Sequence, residues 1–366
     1  MSVKLGDDFP NYRLRTTFGN IQLYDWLGNK WGILFSYPAD LTPVCTTELS
    51  RAAKLEPHFA MRNAKLIGLS CDSIEIHRGW IKDIQSYGSI ELPSGEFPFP
   101  IIDDSDRKLT RELGMSDPAE FEKNGLPRTA RAIKSRSLVD IEAMSVKLGD
   151  DFPNYRLRTT FGDIQLYDWL GNKWGILFSY PADFTPVCTT ELSRAAKLEP
   201  HFALRNAKLI GLSCDSIESH RGWIKDIQSY GSIDLPSGEF PFPIIDDNDR
   251  KLTRELGISD PAEFEKNGLP RTARAVFFIG PDKKVKATLL YPAACGRNFD
   301  EILRLLDALL VVDHLHVATP VDWKVGDKVM VPPNVDDNEV EKYFPQGVAV
   351  KTDLPSGKGY IRTADV

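Results

Sequence analysis

The residues whose types and spacing could do chemistry are concentrated in Tyr180-Pro181-Ala182-Asp183-Phe184-Thr185-Pro186-Val187-Cys188-Thr189-Thr190-Glu191. The segment follows a short apolar run. Thr185 before Pro186 reads as the N-cap and first position of a helix. Cys188 then falls in the first turn, where unpaired amide N–H groups and the positive end of the helix dipole favour a thiolate. A thiolate is the sulfur species that attacks an electrophile such as a peroxide oxygen. A cysteine after a strand is by itself more often a small buried apolar residue, so the reading depends on the residues around it.

The elements that position this segment occur twice. Residues 1–132 recur as 144–275, with seven differing pairs: Asn20/Asp163, Leu41/Phe184, Met61/Leu204, Ile76/Ser219, Glu91/Asp234, Ser105/Asn248 and Met115/Ile258. A repeat of this length is a domain duplication rather than a solenoid. Each copy alternates strand and helix signals, as in the apolar runs at 174–180 and 208–213 and the helical spacing of Trp223, Ile224, Ile227 and Tyr230. That pattern is α/β. After Ala132 the first copy enters residues 133–143 and restarts at Met144, whereas the second adds a hairpin pattern over 275–291 and an amphipathic helix bearing Ile302, Leu305, Leu306, Leu309 and Leu310. From Thr319 the texture turns to short β-like stretches broken by Pro and Gly. The expected organisation is a truncated domain at 1–132, a linker at 133–143, a complete domain at 144–312 and a β-rich module at 313–366.

The motif Pro181-x-x-x-Thr185-x-x-Cys188 resembles the peroxiredoxin active site, and PVCTTELSRAAKLEP is similar to the 1-Cys, peroxiredoxin-6-type class. FPIIDD at 242–247, DPAE at 260–263, GPDKK at 280–284 and GRNFDEIL at 296–303 match as well, and ATPVDWKVGD at 318–327 resembles that class's C-terminal domain. The resemblance implies a thioredoxin-like α/β fold and an antioxidant thiol peroxidase that reduces hydrogen peroxide and organic hydroperoxides through a cysteine sulfenic acid. It implies Cys188 as peroxidatic nucleophile, Thr185 as a hydroxyl donor to the peroxide, Arg274 as the cation stabilising thiolate and transition state, and Pro181 as a shield against water. Glu191 would orient Arg274. Structural alternatives are a plain N-cap for Thr185 and a surface ion pair for Arg274. The first copy keeps Pro38, Thr42, Cys45, Glu48 and Arg131.

The same resemblance implies a homodimer, no bound cofactor and an external thiol reductant, glutathione being the usual candidate; no Cys follows Cys295 to act as a late resolving thiol. Two features depart from the class. Ser179 is followed by Tyr180 where the class tends to have His. Of the Ser, His and Asp set credited with phospholipase activity in several members, only Asp282 remains, with Lys30 and Lys173 at the serine and Tyr24 and Tyr167 at the histidine positions. No such activity is expected.

Five widely spaced cysteines argue against a disulfide framework and a zinc site. Cys71 and Cys214 read as core thiols; Cys295 is an incidental exposed thiol or, less favoured, a resolving partner. His201, His220, His314 and His316 lack closely spaced ligand partners and read as surface or packing residues. The net charge of −7 offers no basic face for nucleic acid, and no apolar run approaches membrane-spanning length. Acids near the start, where a signal peptide is apolar, point to the cytoplasm. A redox-sensing binding or holdase protein with little turnover is the alternative reading, and a non-catalytic duplication a third.

The first copy is expected to be catalytically weak. Residues 133–137 show too little apolar alternation for the strand that should follow Arg131 and contain no hairpin turn. Arg131 would then lack a fixed station, and the strand before Cys45 would present an unpaired edge.

Overall fold

The computed structural model describes residues 8–91, 96–121, 127–129, 131–135, 146–234, 239–264 and 268–366. The first copy runs β1 (Arg13–Thr16), β2 (Gly19–Gln22), α1 (Leu23–Leu27), β3 (Trp31–Ser36), α2 (Pro43–Ala60), β4 (Ala64–Ser70), α3 (Ile74–Gly88), β5 (Ile101–Asp103), α4 (Lys108–Glu112), β6 (Ser116–Phe121), β7 (Pro127–Thr129) and β8 (Ala132–Ser135). The second runs β9 (Arg156–Thr159), β10 (Gly162–Gln165), α5 (Leu166–Leu170), β11 (Trp174–Ser179), α6 (Pro186–Leu204), β12 (Ala207–Ser213), α7 (Ile217–Gly231), β13 (Ile244–Asp246), α8 (Lys251–Glu255), β14 (Ser259–Phe264), β15 (Pro270–Thr272), β16 (Arg274–Ile279), β17 (Val285–Tyr291) and α9 (Phe299–Leu315). Helix α9 crosses the expected boundary at residue 312.

The second copy forms a seven-stranded sheet in the order β10-β9-β13-β12-β11-β16-β17. β11 lies inside the sheet, parallel to β12 and antiparallel to β16. All six residues of β11 are buried, which is why WGILFS reads as a continuous apolar run instead of an alternating one. Helix α7 buries His220, Trp223, Ile227 and Gly231, a spacing that puts them on one face. The β16–β17 hairpin closes with Gly280 N–H donating to the Lys284 carbonyl. Phe152, Leu177, Ile210, Ile245, Ala275 and Phe277 belong to the main core on one side of the sheet.

The first copy forms a six-stranded sheet in the order β2-β1-β5-β4-β3-β8. This corrects the expectation that no strand follows Arg131. β8 pairs antiparallel with β3, Ile133 opposite Phe35 and Ala132 opposite Ser36, so β3 is not an edge. Weak alternation did not prevent it, because backbone hydrogen bonding to an available neighbour suffices to recruit a short extended segment. The strand takes in the first three residues of the expected linker; residues 136–143 lie outside the described residues. The described part of the first copy has no counterpart of β17 or α9.

The C-terminal module contains β18 (Val329–Met330), α10 (Asp337–Tyr343), β19 (Ala349–Val350) and β20 (Arg362–Ala364), with the sheet order β18-β20-β19. Asp336 and Glu339 form a capping box at the start of α10. Trp323, Val329, Val331 and Phe344 fill its core. The chain divides into two compact units, one made of the first copy with residues 307–366, the other of the second copy up to Leu306.

Candidate active site

In the second copy, β11 delivers the chain to a loop at 180–185, and α6 starts at Pro186 with Thr185 at its N-cap. Cys188 lies in the first turn and is fully buried. The Thr185 side chain makes no capping hydrogen bond; its hydroxyl donates to the Ala182 carbonyl at 2.8 Å. The plain N-cap alternative therefore does not account for the hydroxyl. Pro181 is buried in the same loop.

The loop is tied down from below. Asp183 accepts hydrogen bonds from Tyr180 Oη at 3.0 Å and Ser219 Oγ at 2.7 Å, and its Oδ2 lies 2.8 Å from His220 Nδ1. His220 Nε2 is 3.1 Å from the Ile245 carbonyl, so the histidine is a buried tether, neither a metal ligand nor a surface residue. In the first copy Ile76 stands at the Ser219 position and that hydroxyl bond is lost; His77 still reaches Asp40 at 2.6 Å.

Arg274, at the start of β16, brings Nη1 to 3.3 Å from Cys188 Sγ. The same nitrogen donates to Glu191 Oε2 at 2.6 Å, while Nε donates to the Ala293 carbonyl at 2.7 Å. The surface ion-pair alternative for Arg274 fails, since its side chain is only 3% exposed. Pro181, Thr185, Cys188, Glu191 and Arg274 are thus brought to one place from a loop, a helix and a distant strand.

One residue of the site was not singled out by the sequence reading. Arg297 donates from Nε to Glu191 Oε1 at 2.9 Å and from Nη2 to Oε2 at 2.8 Å, with its backbone N–H also on Oε1 at 2.7 Å. Its Nη1 donates to the Ala275 carbonyl at 2.8 Å. Burial works against a charged Glu191, but Arg297 first and Arg274 second outweigh it and hold the carboxyl below the usual glutamate range. Arg297 lies inside the matching GRNFDEIL segment, yet nothing local shows that it folds back onto a carboxylate 106 residues away.

The first copy corrects the expectation that Arg131 has no fixed station. Arg131 Nε donates to Glu48 Oε2 at 3.1 Å, and Nη2 reaches Cys45 Sγ at 3.5 Å. The arrangement is thinner. The first copy lacks the segment that supplies Arg297 and the Ala293 carbonyl, and the Arg131 side chain is 46% exposed. Burial pushes the Cys45 thiol up, Glu48 adds to this, and Arg131 pulls against both.

Cys71 and Cys214 are buried beside Thr110, Thr129 and Thr253, and burial raises the Cys214 thiol to about 11, as expected of core thiols. Cys295 is exposed in the turn after β17. His201 is exposed, and His314 Nδ1 lies 2.8 Å from the Leu310 carbonyl of its own helix. Among the described residues no cluster of His, Cys, Asp and Glu could hold a metal ion, and no helix is long and apolar enough to cross a membrane. Asp282 is paired with Lys286 at 2.7 Å, and Tyr167 donates to the Phe152 carbonyl at 2.5 Å.

The AhpC/TSA family profile matches residues 5–140 and 148–288, and the C-terminal domain of 1-Cys peroxiredoxin matches 308–347. The chain is 58% identical to peroxiredoxin-6 of Gallus gallus over 215 residues, which is 59% of this chain and 95% of that protein. Peroxiredoxin-6 of Homo sapiens gives the same identity and coverage. Among solved structures, a mutant of the peroxiredoxin 6 of Arenicola marina superposes with a TM-score of 0.58 at 49% identity, covering 60% of this chain and 98% of that one. A yeast mitochondrial 1-Cys peroxiredoxin, whose thiol is resolved via glutathione/thioredoxin systems, gives 0.54 at 40% identity, covering 60% and 100%. With two matched segments and a buried cysteine under an arginine in each, the chain belongs to the AhpC/TSA family, as a 1-Cys peroxiredoxin and thiol peroxidase in which a shortened copy of the family domain precedes a complete one.

Proposed function

We propose that Cys188 reduces hydrogen peroxide and organic hydroperoxides through a sulfenic acid. The observation that carries this reading is Arg274 Nη1 at 3.3 Å from Cys188 Sγ, fixed by Glu191. The Cys188 thiolate attacks the terminal peroxide oxygen, an S–O bond forms, and the O–O bond breaks. The leaving oxygen departs with the bonding pair and takes a proton to become water or an alcohol. Arg274 stabilises the charge passing from sulfur to oxygen, the Thr185 hydroxyl oxygen, whose proton is donated to the Ala182 carbonyl, accepts a hydrogen bond from the peroxide O–H, and Pro181 keeps water from the sulfur.

The sulfenic acid is then reduced by two equivalents of an external thiol, for which we propose glutathione. The first forms a mixed disulfide and releases water; the second displaces the Cys188 thiolate and leaves oxidised glutathione. No bound cofactor takes part. Antioxidant defence in the cytoplasm, by a homodimer, is the setting this chemistry fits. Turnover is favoured over sensing by membership of a peroxidase family. NADPH-coupled consumption of hydrogen peroxide with glutathione tests the reading: sustained turnover is expected, and a single stoichiometric burst with no further consumption would refute it.

A further inference from the structure

One face of the two copies has the same residues and opposite burial. Thr46, Thr47 and Asp83 are 0%, 1% and 0% exposed, whereas their counterparts Thr190 and Asp226 are exposed and Thr189 is half-buried. What covers the first set is the chain's own C-terminal module. Tyr360 Oη donates to Asp83 Oδ2 at 3.0 Å, accepts from Trp80 Nε1 at 3.2 Å and lies 3.3 Å from Thr46 Oγ1. The backbone N–H of Ser356 donates to Asp83 Oδ1 at 2.7 Å, and that of Val321 to Thr47 Oγ1 at 3.0 Å. Arg51 and Asp322 pair at the rim. The Tyr360 ring packs against the core cluster that holds Cys45, Leu49 and Trp80.

We propose that the first copy is the docking receptor for the chain's own C-terminal module, anchored by the Asp83 carboxylate. Asp83 is buried, and the module supplies donors to both of its oxygens, which is what a buried carboxylate requires. The contact is intramolecular, so the module competes at an effective concentration in the millimolar range against the same module of another chain.

The second copy carries all five receptor residues, as Thr189, Thr190, Arg194, Trp223 and Asp226. Of the seven differing pairs, Leu41/Phe184 lies at this face. Leu41 and Tyr360 both pack against the receptor cluster. In the second copy the Phe184 ring lies 6.2 Å from Trp223, the indole that corresponds to Trp80, so the second copy's own side chain packs against the indole that Tyr360 contacts in the first copy. A truncated copy therefore has work that needs no turnover.

The duplicated sequence supplies its own control. Amide hydrogen exchange of residues 354–364 is read by mass spectrometry in the full chain, in Asp83→Ala and in the twin variant Asp226→Ala. Loss of two charge-assisted hydrogen bonds is expected to speed exchange on the order of tenfold to a hundredfold in Asp83→Ala. Asp226→Ala is expected to leave it unchanged. Tyr360→Phe and Leu41→Phe, which spare the buried carboxylate, should speed exchange as well even if Asp83→Ala fails to fold. Protection that follows Asp226, that is indifferent to all four substitutions, or that fades on dilution because another molecule provides the receptor would each overturn the proposal.

Discussion

Arg297 Nη2 lies 2.8 Å from Glu191 Oε2, and the same oxygen takes the Arg274 Nη1 bond at 2.6 Å. A single carboxylate thus holds two guanidinium groups, one of which reaches the nucleophile. Arg297 touches no reacting atom and acts by fixing the group that does.

Replacing Arg297 should accordingly damage catalysis through position rather than through charge alone. Arg297→Lys keeps the charge but loses the planar fork that engages both Glu191 oxygens. Misplacing a catalytic group by about 1 Å can cost on the order of a hundredfold. Stopped-flow peroxide reduction is expected to fall roughly tenfold to a hundredfold in Arg297→Lys, and further in Arg297→Met. A loss in Met fully restored by Lys would show that geometry is not the cause.

The Glu191 carboxyl is held below the usual range, and the sign of its pH effect follows. An unfolded glutamate titrates near about 4.3, so the stability gained from the ionised native form is fully present above that pH and is lost as pH falls through the lower folded value. Denaturant unfolding followed by tryptophan fluorescence should show this acid loss. Glu191→Gln should destabilise the second copy by roughly 3–5 kcal/mol at neutral pH, since two buried arginines lose their partner. The gap between variant and parent should narrow towards pH 3; a gap that does not change with pH would contradict the assignment.

Cys45 is expected to alkylate with a midpoint above the ordinary thiol value of about 8.5, because burial and then Glu48 raise it against the pull of Arg131. Iodoacetamide labelling against pH, read on the peptide that Leu41 distinguishes from its Phe184 twin, measures it. A midpoint below 8 would reverse this view of the first copy.

Peroxide reduction should reside mainly in the second copy. Cys45→Ser is expected to retain nearly full activity and Cys188→Ser almost none, because Arg131 is half exposed and held by one carboxylate where Arg274 is also held by the Ala293 carbonyl. Equal halves in stopped-flow traces would end this reading.

Hydrolysis of a short-chain phospholipid by the pure protein is expected to stay at the level of a Cys188→Ser control. Lys173 at the serine position offers no hydroxyl, Tyr167 at the histidine position offers no imidazole base and donates its own hydroxyl to the Phe152 carbonyl, and Asp282 is engaged by Lys286. Release above that control would show a site built from other residues.

The duplication, the α/β pattern and the place of Cys188 in a first helical turn were legible in the sequence, because each depends on residues close together in the chain or on direct comparison of two segments. Thr185 before Pro186 marks a helix start, and the short apolar run WGILFS marks a strand in both copies, although only β11 is buried along its whole length. Arg274 became legible through resemblance to a family, not through spacing. The tertiary structure alone decided the rest. Arg297 joins Glu191 across 106 residues, and β8 forms because β3 offers an unpaired edge to a segment with little strand character of its own. The clearest case is Asp83 and Asp226, which sit in identical local sequence, residues 77–90 matching 220–233, on the same helix of each copy, one buried and one exposed. Burial is a property of what arrives from elsewhere in the chain, and here that is Tyr360 and Ser356, which lie more than 270 residues beyond Asp83.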